Sequence, residues 1–316
     1  MRIIKKTLLI FLTFFLLAAL GFLLLLRYPT GHTIKPSQFA KRPDLEAGLP
    51  EVKLTVINTG NSDSLEAFIA SGGRLTQKRP MVHAAILVEH PKGNFLIDSG
   101  LGTHITEEMA QASWMVRTFM PLKIDGTVVA QKDKLEALKD LKNILVTHAH
   151  WDHLSGARDF PDIPVLMLPE EIAFMKAAKK SFMGNVFPHQ IQALAKQLKP
   201  VQLQDVPYEN FSKSFDLYGD QSVIIVPLPG HTPGSMGVFV NAATDRRYLF
   251  VGDALWSVDP NGQPENRTLG AEIFSDHDRR QARETREKLR ELIQFSNEIT
   301  LIPTHDQKAL EKVSQK

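Results

Sequence analysis

The stretch Thr147–His153 reads THAHWDH and gathers three imidazoles and a carboxylate between positions 148 and 153 of a chain with 11 histidines in all. His148 and His150 are two residues apart. In extended backbone, such positions point to the same side, so both rings can converge on one ion. Asp152 and His153 follow in a turn and can face a second ion. A polar loop without metal is the plainer alternative, but it does not explain this density of donors.

Three further donors recur in matching surroundings. His231 lies in PGHTPGS, Asp253 in VGDAL and His305 in IPTHD, each just after a β-branched or aliphatic run. Taken singly, each could be a turn residue, with Gly or Pro close by. Taken together, four strand ends deliver seven imidazole or carboxylate groups, and ligating groups gather on loops that rigid strands position. The chain has no cysteine, so thiolate sites and disulfides are excluded. The donor set suits zinc, and also iron, manganese or cobalt.

The elements that must hold these loops are legible from hydrophobic pattern. Lys53–Asn58 alternates as a strand. Residues 84–88 and 94–97 form a hairpin around Pro91, Lys92 and Gly93. Lys134–Leu141 has helical spacing, and Asn143–Thr147 reads as a buried strand. Helices are expected over Glu170–Lys180, Gln190–Leu198 and Asp278–Phe295, with strands over Ser222–Leu228, Tyr248–Val251 and Glu298–Ile302. Strand clusters separated by helices occur twice. This predicts an α+β fold of two sheet-plus-helix halves packed sheet to sheet, with helices outside.

HAHWDH followed by His231, Asp253 and His305 resembles the metallo-β-lactamase superfamily over about residues 51–316, in order, spacing and flanking residues. The resemblance implies a four-layer αββα sandwich. It implies that His148, His150 and His231 bind a first metal, that Asp152, His153 and His305 bind a second, and that Asp253 bridges the two. Asp98, in FLIDSG, matches a position that orients the histidine loop; a turn cap before Gly100 is its plainer role. True β-lactamases of this superfamily lack the bridging carboxylate, so Asp253 argues against that activity. Lactonases of the N-acyl-homoserine type and thioesterases of the glyoxalase II type keep it. The hairpin over residues 82–100 and the closing PTHD look lactonase-like.

Two zinc ions ~3.5–4 Å apart hold a hydroxide at neutral pH, because each lowers the pKa of bound water. That hydroxide can attack a carbonyl or a phosphoryl centre. Asp152 is placed to orient it and handle its proton, and no Ser or Cys nucleophile is required. The expected function is zinc-dependent hydrolysis of a small-molecule carboxylic ester or lactone. Phosphoester and thioester hydrolysis, a dinuclear iron redox protein and a catalytically idle metal-binding protein are the alternatives. An apolar stretch around Phe182, Met183 and Phe187 would suit an acyl chain or serve ordinary helix packing. His83 could line a pocket or be a structural strand histidine, and His189 belongs with the helix-packing stretch. His32, His90, His104 and His277 are expected to be solvated. The charges from Arg279 to Arg290 read as a solvated helix face.

Lys plus Arg is 37 and Asp plus Glu is 35, a balance that offers no basic surface for nucleic acid. The N-terminus differs from the rest. After a short basic tail at residues 1–6, the uncharged run over residues 7–26 has about the 20-residue length that crosses ~30 Å of hydrocarbon. It reads as a single-pass transmembrane anchor. Cleavage as a signal peptide near Ala18 and Ala19 is the competing reading, but would leave Leu20–Leu26 at the new terminus. Residues 27–50, with Pro29, Pro36, Pro43 and Pro50, read as a linker to a catalytic domain over residues 51–316. A small basic tail is more easily retained inside than a domain, so the domain is expected outside the cytoplasm.

Overall fold

A computed structural model describes residues 2–27, 45, 48–112, 114–119, 121–177 and 186–314. The first helix, α1, runs Arg2–Arg27. Its side chains are described without a break from Ile10 to Leu25 and are almost all apolar and exposed. Among the described residues, no helix is long and apolar enough to cross a membrane. The linker expected at 27–50 lies largely outside the described residues, as do Phe182 and Met183.

The first half begins with β1 (Lys53–Leu65), α2 (Glu66–Ile69), β2 (Lys78–Glu89) and β3 (Asn94–Ile97). It continues with α3 (Ile105–Ala110), α4 (Trp114–Phe119), β4 (Leu122–Ile124) and β5 (Leu141–Leu145). One turn of helix, α5 (Trp151–Leu154), precedes β6 (Val165–Met167), α6 (Pro169–Ala177), α7 (Pro188–Leu194) and β7 (Leu198–Pro200). These strands make a seven-stranded sheet in the order β4-β1-β2-β3-β5-β6-β7. The second half contains β8 (Phe215–Asp216), β9 (Val223–Pro227), β10 (Met236–Ala243), β11 (Arg246–Gly252), α8 (Leu269–Ser275), α9 (Arg279–Phe295), β12 (Ile299–Pro303) and α10 (Gln307–Ser314). Its five strands are ordered β12-β11-β10-β9-β8. The architecture is α+β with two sheets.

Strand alternation explains how the sheets meet. Along β2, Val82, Ala84, Ile86 and Val88 join a cluster with β9, β10, β11 and β12, while Ala85 and Leu87 face the opposite way. That second face packs on Leu154 of α5, Ile172 and Met175 of α6, and Leu194 of α7. Leu289 and Leu292 of α9, with Ala309, Leu310 and Val313 of α10, enter the cluster that holds the smaller sheet. Each fully buried aliphatic side chain contributes on the order of 1.5–3 kcal/mol. These paired surfaces therefore dominate the stability of the scaffold.

Two expected helices differ from the pattern. Lys134–Leu141 supplies only a 3-10 turn at Glu136–Asp140, because Leu135 is extended and Leu141 already begins β5. The helix expected to reach Leu198 starts at Pro188 and stops at Leu194, and Leu198 pairs instead with Val165 of β6. Sheet pairing outweighs intrinsic helix preference in both places.

Candidate metal centre

The site sits where the ends of β5, from the larger sheet, and of β9, β11 and β12, from the smaller, approach one another. Thr147 is the hinge between the sheets: its carbonyl accepts from the Met236 amide at 2.9 Å. The chain must turn sharply after β11, and Gly252 does so with φ 50°; a Cβ there would lie 2.5 Å from Thr147 Oγ1. His148, His150, Asp152, His153, His231, Asp253 and His305 are all buried.

Six of the seven donors form two groups that meet at Asp253, and Asp152 joins a third, with His305 and His83. His148, His150, His231 and Asp253 offer donor atoms within 4.8 Å of one another, and so do His153, Asp253 and His305. Asp253 Oδ2 lies 3.3 Å from His231 Nε2, while Oδ1 lies 3.3 Å from His153 Nε2 and 3.0 Å from His305 Nε2. Asp152 Oδ2 is 3.5 Å from His305 Nε2 and 3.9 Å from His153 Nε2. Of the atoms facing one another here, His148 Nε2, His153 Nε2 and Asp253 Oδ1 are buried without a hydrogen-bond partner. Orphaned interior polar atoms are costly, and these are donor atoms of the expected metal site. The residues fit a pair of divalent cations held by nitrogen and oxygen alone.

Three of the five rings are aimed by the nitrogen that faces away from the site. His153 Nδ1–H donates to Asp98 Oδ2 at 2.8 Å, and His305 Nδ1–H to the Val82 carbonyl at 2.6 Å. His231 Nδ1 faces Asp276 Oδ1 at 3.2 Å. These contacts turn Nε2 toward the other donors, as ligating histidines require, and His231 Nε2 lies 3.0 Å from His150 Nδ1. Asp98 also accepts from the Thr147 amide at 2.7 Å and from Thr147 Oγ1 at 3.0 Å. It thus orients the histidine loop as expected. Holding it there puts Asp98 at φ 56°, a left-handed conformation uncommon for a residue with a Cβ.

Burial lowers the His148 pKa well below the usual imidazole range and that of His150 to about 3, with neighbouring imidazoles adding to the effect. Both are neutral at pH 7, ready to bind. At His153, burial is outweighed by Asp98, Asp152 and Asp253, which raise its pKa well above 6.5. A cation held at Nε2 would take the place of that proton. Burial opposes charge on Asp253, but His305 and His153 hold its carboxyl far below the usual carboxylate range.

Several contributors carry no local signal in the sequence. Glu171, at the start of α6, accepts from the Ala149 amide at 2.7 Å, Thr232 Oγ1 at 2.7 Å and the Gly234 amide at 3.0 Å, tying the His148–His150 loop to the His231 loop. Trp256 Nε1–H donates to Asp253 Oδ2 at 2.9 Å, and the Arg267 guanidinium stacks 3.9 Å above the Trp256 ring. Asp276, behind His231, is paired with Arg267 and with Arg286. Arg286 corrects the solvated-face reading of α9: it is buried, and it also bonds Glu272. His90 corrects another expectation. It is buried between Ser222 Oγ at 2.9 Å and the stacked Tyr218 ring at 4.1 Å, and belongs to the sheet interior. His189 stacks on Phe187 and meets Gln111 Oε1 at 3.1 Å, an ordinary packing contact. His83, read as either pocket or structural, is buried 3.1 Å from Asp152 Oδ2.

The sequence profile of the metallo-beta-lactamase superfamily matches residues 79–305. The chain belongs to the metallo-β-lactamase superfamily. The match takes in all seven donors and most of both sheets. Among curated proteins, a "probable metallo-hydrolase" of Mycobacterium tuberculosis is 27% identical over 177 residues, 54% of this chain and 56% of that protein. An N-acyl homoserine lactonase of Azorhizobium caulinodans is 24% identical over 178 residues, 55% of this chain and 65% of that one. The chain thus spans less than two thirds of the length of these relatives. Among solved structures, an N-acyl homoserine lactone hydrolase with N-hexanoyl-L-homoserine at its catalytic metal centre superposes with TM-score 0.59 at 18% identity, covering 84% of this chain and 97% of that one. A dizinc quorum-quenching lactonase superposes with TM-score 0.56 at 17% identity, over 82% and 88% of the two chains. At these identities the structural likeness is one of fold.

Proposed function

We propose that this protein is a dizinc hydrolase of lactones or carboxylic esters, with N-acyl homoserine lactones as the leading substrate class. The observation that carries the proposal is Asp253, whose two oxygens are divided between the donor groups at 3.0–3.3 Å. A shared carboxylate offsets the repulsion of two nearby dications. Lactonases of this superfamily resemble the chain in keeping such a residue, and two proteins similar to it are named as N-acyl homoserine lactonases.

In this scheme His148, His150 and His231 hold the first metal, and Asp152, His153 and His305 the second. When bound, the metal pair supplies a water of lowered pKa and polarises the substrate oxygen. The protein's own residues do the rest. Trp256 Nε1–H and the Asp276–His231 contact fix the shared carboxylate and the ring beside it. The burial of the whole donor set restricts bulk water. Asp152 faces the second donor group and His83, so in this reading its carboxylate orients the attacking water and handles its proton, which ends on the leaving alkoxide. The test is a hydrolysis screen of the zinc-loaded protein against N-acyl homoserine lactones, aryl esters, phosphotriesters, thioesters and β-lactams. Lactone turnover well above all other classes is expected. Preferential turnover of phosphotriesters or thioesters, with lactones inert, would overturn the substrate assignment.

We also propose that residues 7–26 anchor the protein in a membrane, with the catalytic domain outside the cytoplasm. The support is the uncharged run in the sequence and the exposed apolar side chains of α1.

A further inference from the structure

One histidine beside the metal centre lies outside the expected ligand set. His83 lies in the middle of β2 and is 1% exposed. Its Nε2 is 3.2 Å from Ser62 Oγ, on the adjacent strand β1. Its Nδ1 is 3.1 Å from Asp152 Oδ2, the oxygen that also faces His305 and His153. Nδ1 has no hydrogen bond of regular geometry; the Asp152 carboxylate faces it at contact distance, and His83, Asp152 and His305 offer donor atoms within 4.8 Å of one another. The ring stands edge-on to His305, with centroids 5.3 Å apart, and lies 5.5 Å from the Trp151 ring. The backbone holds it firmly. The His83 carbonyl accepts from Thr59 Oγ1 at 2.6 Å, and the carbonyl of neighbouring Val82 is the one that orients His305.

The chemistry of the partners sets the direction of the chain of contacts. An ionised carboxylate only accepts, so the proton on the ring belongs on Nδ1. Neutral Nε2 then accepts, and the donor is the Ser62 hydroxyl. We propose that Ser62 and His83 position Asp152: Ser62 O–H donates to His83 Nε2, and His83 Nδ1–H holds the Asp152 carboxylate in reach of the second metal. This rests on the dinuclear reading given above and adds a positioning residue to it. His305 and Asp152 are then both governed by one two-residue segment of β2, through the Val82 carbonyl and the His83 ring.

The test is metal binding by the full-length protein, stripped with chelator and titrated with zinc against a chromophoric competitor. Wild type is expected to bind two equivalents. His83→Ala should weaken the second by about 10–100-fold, the usual cost of a lost ligand-orienting partner, and leave the first unchanged. In His83→Asn the amide N–H falls near the Nδ1 position, so most of the second affinity should return. Ser62→Ala should lie between wild type and His83→Ala. If His83→Ala fails to fold by circular dichroism, the Asn and Ser62 variants carry the test, and normal second-site affinity in Ser62→Ala would then overturn it. Two tight equivalents in a folded His83→Ala would also overturn it, as would equal weakening of both metals, the mark of a merely structural role. If His83→Asn binds as weakly as His83→Ala, and cobalt(II) substitution shows an altered ligand-field spectrum in both, His83 is itself a ligand and the positioning role is wrong. Failure of wild type to bind two metals would instead remove the dinuclear reading.

Discussion

At the scale of single residues, the centre depends on carboxylates whose partners are already charged or already committed. Asp253→Ser keeps a small polar side chain but removes the anion between the donor groups. Its expected outcome is a zinc content near one equivalent and a turnover at least ~100-fold lower, beyond the ~10–100-fold typical of outer contacts. Two tightly bound metals with near-normal hydrolysis would show that the carboxylate does not bridge. Asp276 acts one step further out, on His231. Burial opposes its charge, but Arg267, the His231 contact and Arg286 outweigh that and hold its carboxyl far below the usual range. A depressed folded-state pKa means stability that is present above the unfolded value, ~3.9, and lost as pH falls toward the folded value. Asp276→Asn should cost ~3–5 kcal/mol at neutral pH, as breaking a buried pair does. The gap from wild type in urea unfolding should narrow below about pH 4. A gap that is constant from pH 7 to pH 3 would contradict the charge argument.

Elements matter here through where they stop. The donors follow the ends of β5, β9, β11 and β12, so the terminations of those strands set the metal geometry. Gly252 ends β11 in left-handed conformation with Thr147 packed against its α-carbon. An alanine there is strained both by its backbone and by its Cβ. Gly252→Ala is expected to destabilise the fold by about 1–3 kcal/mol and to displace Asp253 and Thr147 together, so metal retention should fall along with the melting temperature. An unchanged metal content would separate the turn from the site. The strands were legible because alternating or continuous apolar runs encode them locally. The ends of the helical patterns at 134–141 and 190–198 were not, because Leu141 and Leu198 are claimed by strand partners distant in sequence.

For the molecule as a whole, the metals should act as part of the fold. Ligands that bind only the folded state stabilise it by mass action, ~2.7 kcal/mol at 100 times Kd. Chelation should therefore lower the melting temperature by roughly 5 °C or more, with recovery on adding zinc back. A melting curve indifferent to chelator and zinc would argue against an occupied site. The N-terminal run should be separable from this behaviour. Deleting residues 1–27 is expected to yield a protein that stays in the supernatant without detergent and retains zinc-dependent turnover. Insolubility or inactivity of that truncation, while the full chain works in detergent, would defeat the anchor proposal.

The amino-acid sequence alone determined the donor types, their order and their association with strand ends. Those are short-range features: two histidines at i and i+2 after an apolar run, a Gly or Pro turn beside each later donor, and no sulfur anywhere. It also determined that two similar halves would pair through apolar faces, because alternation is written into each strand. What it could not express is which distant side chain stands behind each donor. Glu171 joins two loops, Asp276 at the end of α8 supports His231 and is itself paired with Arg286 in the middle of α9, and His83 on β2 reaches Asp152 on α5. Each of those contacts joins positions far apart in the chain, so no spacing or period records it. Only the packing of one sheet against the other brings such residues within hydrogen-bond range, and burial then makes their pairing obligatory.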